Sequence, residues 1–200
     1  ADALEHDLMY PPDPGEKTGS LGGNVSTNAG GMRAVKYGTT RDYVLAMTVV
    51  LPNGQILELG RSVTKTSSGY SLLHLMIGSE GTLGVITELT LKLIPNPKED
   101  ISFILPFADI DAAISAVPKI KLAGLSPQSI EFMERDIVDS SANYTGNKII
   151  PTVIDGKEAG AYIQVTLDGN DQDEIFQRAE TLAEIGDEIG AYDLGIEPSC

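Results

Sequence analysis

Two glycine-rich runs carry the residue types that could hold a ligand. The first opens with Pro11-Pro12-Asp13-Pro14-Gly15 and continues through Ser20-Leu21-Gly22-Gly23-Asn24-Val25-Ser26-Thr27-Asn28-Ala29-Gly30-Gly31. Paired glycines strip side chains from the backbone, so amides can come within hydrogen-bond distance of a flat or anionic ligand. Asn24, Ser26, Thr27 and Asn28 add short polar groups that could bond to the heteroatoms of a ring or phosphate. The run lacks the Lys of a P-loop and the strand–turn–helix setting of a dinucleotide GxGxxG. A structural turn and a ligand cradle both stay open for it. The second run is Gly78-Ser79-Glu80-Gly81-Thr82-Leu83-Gly84-Val85-Ile86-Thr87. Gly78 reads as a helix C-cap. Gly81 and Gly84 are left for a turn or for ligand contact.

Other reactive side chains are sparse. Cys200 is the one cysteine, and His6 and His74 are the two histidines. That set argues against an internal disulfide framework and against a Cys/His zinc site. Arg33, Lys36 and Arg41 lie near the first glycine run and read as solvent-facing charges. Tyr37, Tyr43 and Tyr70 read as packing residues. The cluster Asp168-Gly169-Asn170-Asp171-Gln172-Asp173-Glu174 lacks the glycine and terminal glutamate spacing of a calcium loop; a helix start on a solvated face accounts for it better. No catalytic residue can be named.

The 200 residues include 14 basic and 29 acidic side chains, a formal charge of −15. That balance argues against nucleic-acid binding, which needs basic patches. Hydrophobic residues make up 42% of the chain, ample for a core. No apolar run is long enough for a transmembrane helix. No signal-peptide pattern stands at the start. A cytoplasmic location is expected, with attachment at the membrane periphery as the alternative. The charge is uneven: residues 1–100 hold 8 basic and 11 acidic groups, and residues 101–200 hold 6 and 18.

The elements that must position these residues change character at Leu93-Ile94-Pro95-Asn96-Pro97-Lys98, where two prolines interrupt regular pairing. A domain boundary is expected there, dividing 1–97 from 98–200. In the first part, Tyr43–Leu51 and Gln55–Leu59 flank Asn53-Gly54 and predict a hairpin with a two-residue turn. Tyr70–Ile77 predicts a short helix. Strict alternation over Val85–Ile94 would place Ile86 on one face and Leu89 and Leu91 on the other. In the second part, strands are expected at 101–107, 129–133, 161–167 and 191–196. Helices are expected from Asp109 or Asp111 to about Val117, where Pro118 interrupts, then over 135–144 and 171–189. The order β-α-β-insert-β-α-β matches a ferredoxin-like split unit. The fold class is α+β.

The motifs from Pro11 to Pro97 resemble the later part of the FAD-binding domain of the vanillyl-alcohol-oxidase-type flavoproteins. The resemblance is nearest the branch of the glycolate oxidase flavin subunit, D-lactate dehydrogenase and D-2-hydroxyglutarate dehydrogenase. It is carried by Pro12-Asp13-Pro14, Gly22-Gly23-Asn24, Thr27-Asn28-Ala29-Gly30-Gly31, Lys36-Tyr37-Gly38, Arg41-Asp42-Tyr43-Val44, Leu51-Pro52-Asn53-Gly54 and Gly78-Ser79-Glu80-Gly81-Thr82-Leu83-Gly84. Residues 101–200 resemble the beginning of that family's substrate-binding cap. The resemblance implies an FAD whose ring and ribityl chain lie against a Gly22–Gly31 loop. Backbone near Val85 and Ile86 would close the pocket. The cofactor-binding residues so implied are Pro12, Asp13, Ser20, Gly22, Gly23, Asn24, Thr27, Asn28, Gly30, Gly31, Gly81, Gly84, Val85 and Ile86. No His or Cys is well placed for a covalent link, so noncovalent flavin is expected. The family's phosphate-binding loop would precede Ala1, and its metal-binding and catalytic histidines would follow Cys200. The chain is therefore expected to be a piece of a longer enzyme that oxidises a D-2-hydroxy acid to a 2-oxo acid, with an unidentified electron acceptor. Two alternatives stay open: a flavin-less assembly module of the same architecture, and a relative acting on an alcohol or sugar. Association with further copies or with other subunits is open as well.

Overall fold

A computed structural model describes residues 2–192 apart from 62, 64, 66, 68 and 148, together with the backbone of 195–197. The expected residues at 193–194 and 198–200, Cys200 among them, lie outside the described residues. The chain divides into two units, Ala1–Asn96 and Pro97–Cys200.

In the first unit, β1 (Leu8–Met9) pairs with the late strand Ile94–Pro95. Two short helices follow, α1 (Leu21–Thr27) and α2 (Ala34–Tyr37). Then come β2 (Val44–Val50), β3 (Ile56–Gly60), α3 (Leu72–Met76), β4 (Val85–Leu91) and the strand Ile94–Pro95 as β5. Strands β3-β2-β4 form an antiparallel sheet in that order. Its inner face buries Val44, Met47, Val49 and Leu59 against Val25 of α1 and Leu73 and Met76 of α3. Each such aliphatic side chain contributes about 1.5–3 kcal/mol by leaving water.

Two irregularities decide which residues face inward. The register between β2 and β4 passes over Leu45 on one strand and Thr87 on the other. Each extra residue flips the alternation beyond it. Val44 and Met47 consequently share the buried face, as do Ile86, Leu89 and Leu91. Strict alternation separated the last three, and the bulge at Thr87 is why that expectation fails. The hairpin also differs from the expected two-residue turn. Gly54 N–H donates to the Leu51 carbonyl at 2.8 Å and Leu51 N–H to the Gln55 carbonyl at 2.9 Å. The loop is thus Pro52-Asn53-Gly54, with only Gly54 left-handed, at φ +84°. In a two-residue Asn53-Gly54 turn, Pro52 would be the strand residue facing Gln55 and would have to donate an N–H that proline lacks, so the pair closes at Leu51 instead.

The second unit runs β6 (Glu99–Phe107), α4 (Ile110–Leu122), β7 (Ser129–Glu134), α5 (Arg135–Thr145), β8 (Val153–Ile154), β9 (Lys157–Glu158), β10 (Ala161–Gly169), α6 (Gln172–Ile189) and β11 (Gly195–Glu197). The sheet order is β11-β6-β10-β7, antiparallel throughout. This is the split β-α-β arrangement, with α5, β8 and β9 as the insert. Ala161, Ile163, Val165 and Leu167 of β10 join Phe103, Leu105 and Phe107 of β6 under α4 and α6. On the other face, Tyr162 and Ile104 pack with Val138 of α5. With both faces covered, β10 is buried almost from end to end.

Asp109 and Asp171 are N-caps, accepting from Ala112 N–H at 2.9 Å and Asp173 N–H at 3.0 Å. The solvated-face reading holds for Asp171, whereas Asp168 is 1% exposed and accepts from Gln128 Nε2 at 3.4 Å. Helix α4 does not stop at Pro118 but continues to Leu122. The carbonyl that loses its donor belongs to Ile114, which is exposed and can be hydrated, while Ala113, Ala116 and Ile120 anchor the helix on both sides of the proline. Pro118→Ala should restore that bond and stabilise the second unit by about 1–2 kcal/mol, the helical gain exceeding the unfolded-state entropy that proline removes. Urea unfolding of the two proteins checks this.

Candidate functional site

The first glycine run is a helix flanked by turns, where a continuous loop was expected. Ser20 starts α1: its Oγ accepts from Gly23 N–H at 3.0 Å. Val25 anchors it in the core at 1% exposure. Asn28 ends it in the left-handed conformation, φ +49°. Two adjacent glycines weaken a helix, but they occupy its first turn, where the cap and Val25 compensate.

The expected site residues fall into two clusters. Gly22 lies against β4, where an added Cβ would sit 3.8 Å from the Ile86 carbonyl oxygen. Gly23 packs over Ser20 Oγ, and half-buried Asn24 lies beside Gly19. Thr27 donates back to the Gly23 carbonyl at 3.2 Å. Val85 is 66% exposed and Leu21 49%. Gly84 lies under β2: its Cβ would meet Val49 Cγ1 at 2.6 Å. Gly81 is open and left-handed, φ +70°. The second cluster joins Gly31 to the Pro12-Asp13-Pro14 backbone. A Cβ on Gly31 would stand 2.0 Å from the Asp13 carbonyl oxygen. Pro12 is buried, and the Asp13 carboxylate holds Lys17 and lies 4.0 Å from Arg33 Nε. Gly30 is nearly open, with Thr39 Cγ2 at 4.0 Å.

Backbone bonds tie the second glycine run to α1. Gly78 N–H donates to the Val25 carbonyl at 3.0 Å, and Glu80 N–H to the Ser26 carbonyl at 2.8 Å. Gly78, Glu80 and Gly81 all have positive φ. A non-glycine residue such as Glu80 costs about 1–2 kcal/mol there, so the bonds to α1 are what hold this path.

Arg41 differs from its expected role as a solvated charge. Its Nη1 and Nη2 donate to the carbonyls of His74 and Ile77 at 3.0 and 2.9 Å. Nothing in the local sequence marks it, because both acceptors are backbone atoms far along the chain. Lys36 sits over the Tyr37 ring, 5.0 Å from its centroid. His74 is exposed and shares a 2.7 Å bond with Ser71 through Nδ1. Tyr70 is not a packing residue, being 99% exposed.

Tyr43 is buried beside this region and donates to the Tyr37 carbonyl at 2.7 Å. Tyr10 meets it edge-on, ring centroids 6.0 Å apart. Burial pushes both phenols above the ordinary value of 10.0; a Thr40 bond offsets part of this for Tyr10, and the Asp42 charge adds to it for Tyr43.

Comparison with known proteins adds identity to this geometry. Residues 1–60 match the family described as FAD binding domain, and residues 96–197 match FAD linked oxidases, C-terminal domain. The chain belongs to the FAD-linked oxidases. It is 55% identical over 193 residues to a D-lactate dehydrogenase of Anaerostipes hadrus, covering 96% of this chain and 41% of that protein. It is 44% identical over 129 residues to glycolate oxidase subunit GlcD of Bacillus subtilis, covering 64% of this chain and 27% of that one. A solved structure of alkyldihydroxyacetonephosphate synthase shares the fold at a TM-score of 0.77 and 21% identity, over 99% of this chain and 38% of that one. The chain thus spans well under half the length of these relatives.

Two outcomes follow from the site's packing. Gly31→Ala should cost about 3 kcal/mol, since backbone must move, whereas Gly81→Ala should cost about 1 kcal/mol for left-handed strain alone; chemical denaturation of the pair measures the difference. The fold favours the neutral Tyr10 and Tyr43 phenols, so their contribution is present below pH 10.0 and disappears as the pH climbs through their raised values. Alkaline unfolding followed by circular dichroism should begin above about pH 10, and Tyr43→Phe should move its midpoint upward.

Proposed function

We propose that the protein containing this chain is an FAD-dependent dehydrogenase of D-2-hydroxy acids. Residues 1–97 would be the later part of its FAD-binding domain, and 98–200 part of its substrate-binding cap. The observation that supports this best is the close approach of Gly22 to the Ile86 carbonyl, with exposed Leu21 and Val85 as their neighbours in sequence. A flat ring needs a wall without bulky side chains, and apolar edges suit its faces. Helix α1 carries no charged residue, while Lys17 and Arg33 both sit at Asp13. This surface therefore fits the ring and its polyol chain better than a pyrophosphate. The wall would be Ser20, Gly22, Gly23, Asn24, Thr27, Gly81, Gly84, Val85 and Ile86, with Pro12, Asp13, Asn28, Gly30 and Gly31 behind or beside it. When bound, FAD supplies a ring that accepts hydride from the substrate α-carbon. The chain's own residues hold that ring with backbone groups and exclude water from one side of it.

The names of the relatives, D-lactate dehydrogenase and glycolate oxidase subunit, support the substrate class. Among the described residues no helix is long and apolar enough to cross a membrane. We place the protein in the cytoplasm or at the membrane periphery, with oligomerisation as part of the proposal.

The intact protein should carry FAD without a covalent link, released by acid or denaturant. Anaerobic D-lactate or glycolate should bleach its oxidised-flavin absorbance, and L-lactate should not. Flavin that no 2-hydroxy acid reduces would redirect the assignment to another substrate class. An intact protein that takes up no FAD would favour the assembly-module reading.

A further inference from the structure

We infer that Arg41 and Asn28 are positioning residues for the ring wall, acting through backbone they fasten rather than by touching flavin. The inference rests on the reading of that wall given above. The wall has two parts that are distant in sequence: the first turn of α1, with Gly22 and Gly23, and the segment from Gly81 to Ile86. Their mutual placement depends on how the end of α1 is joined to the end of α3. Asn28 ends α1 and offers one atom, Oδ1, to two donors: Arg41 N–H at 2.9 Å and Thr39 Oγ1 at 3.2 Å. The Arg41 side chain runs on to α3, where its two terminal nitrogens cap the His74 and Ile77 carbonyls. One residue therefore bonds to Asn28 through its backbone and to α3 through its side chain.

The connection continues directly into the wall. Gly78 follows the capped Ile77, and its N–H returns to the Val25 carbonyl. A Cβ on Gly78 would lie 3.5 Å from Asn28 Cβ and 3.7 Å from Arg41 Nη2, so this glycine packs beneath both. Glu80 then bonds to Ser26, and Gly81 leads into β4. The carbonyls at a helix C-terminus attract a cation, and the guanidinium fork can hold two of them at fixed spacing. A lysine ammonium is a point charge on a flexible stem and cannot reproduce that fork.

The test uses the intact protein, with FAD affinity read from fluorescence quenching and the environment of the ring from the visible absorbance and circular dichroism of bound flavin. Arg41→Met should weaken FAD binding about tenfold or more and shift the bound-flavin spectrum, the loss of roughly one charge-assisted bond's worth of placement. Arg41→Lys should fall between. Asn28→Gly adopts the left-handed conformation freely yet should weaken binding, whereas Asn28→Asp keeps the acceptor oxygen and should restore it. This pair separates the side-chain bond from backbone strain, and stands if Arg41→Met does not fold. A second readout needs no flavin: the Gly78 and Glu80 amides should exchange hydrogen faster in Arg41→Lys than in the wild type, while amides of β2 do not change. Wild-type affinity with a wild-type flavin spectrum in all four variants would overturn the inference and leave the flavin reading standing. So would unchanged exchange at Gly78 and Glu80. A wild-type protein that binds no FAD would remove the reading and this inference together.

Discussion

At Gly31 and Gly84 the backbone of one segment lies where any side chain would stand. A Cβ at Gly31 would fall within bonding distance of Asp13, and one at Gly84 would penetrate Val49 and approach the Val50 carbonyl to 2.9 Å. Gly60 repeats the arrangement against Leu45, at 2.3 Å. This direct stacking of chain on chain is the constraint on which the first unit depends. Close approach at Gly84 and Gly60 brings the start of β4 and the end of β3 onto β2, while α1 and α3 pack through Val25, Leu73 and Met76. At these three positions glycine is required because no side chain fits, and at Gly31 and Gly60 the positive φ requires it as well.

What the sequence made legible follows from how local each signal is. The hairpin strands, the helix over 72–76 and the helix starts near Asp109 and Asp171 rest on neighbours in sequence, although the sequence left Asp109 and Asp111 both open as the first cap and placed Asp171 inside its helix. So does the amphipathic stripe of α6, with Ile175, Ala179 and Leu182 buried. The bulges at Leu45 and Thr87 were not legible, because a register shift exists only relative to a partner strand. Helix α1 read as a loop because Gly22-Gly23 opposes helix locally; its cap and its packing of Val25 against distant residues override that propensity. Arg41 was missed for the same reason, its carbonyl acceptors having no side-chain identity to read. Pro118 misled because the cost of an interior proline depends on whether the orphaned carbonyl can reach water, and Ile114 can.

The second unit solves a different problem. A strand buried on both faces should be apolar throughout, yet β10 carries Gln164, Thr166 and Asp168 on the face away from α4 and α6. Two of them have partners on neighbouring elements: Ser102 Oγ lies 2.9 Å from Thr166 Oγ1, directly across the ladder, and Gln128 reaches Asp168. Arg178 adds bonds to the Leu125 and Asp168 carbonyls, at 3.2 and 2.5 Å. Buried polar groups cost little only when so paired. The face they define is specified by hydrogen bonding as well as by apolar contact, and its register is correspondingly fixed.

The strand order of that sheet also sets a sequence of events. Its two central strands, β6 and β10, pair residues as far apart in the chain as Glu99 and Gly169. Neither neighbour of β6 in the sheet is its neighbour in sequence, so no short hairpin can hold β6 while the rest of the chain searches. Loop closure must be largely complete before the ladder stabilises anything. The first unit has the opposite logic, since β2 and β3 meet across three residues and can form as soon as both exist. During synthesis, β6 and α4 would wait, unpaired and apolar, until β10 emerges. For this part of the chain, the time to translate the insert is the time its central strand must be kept from other partners.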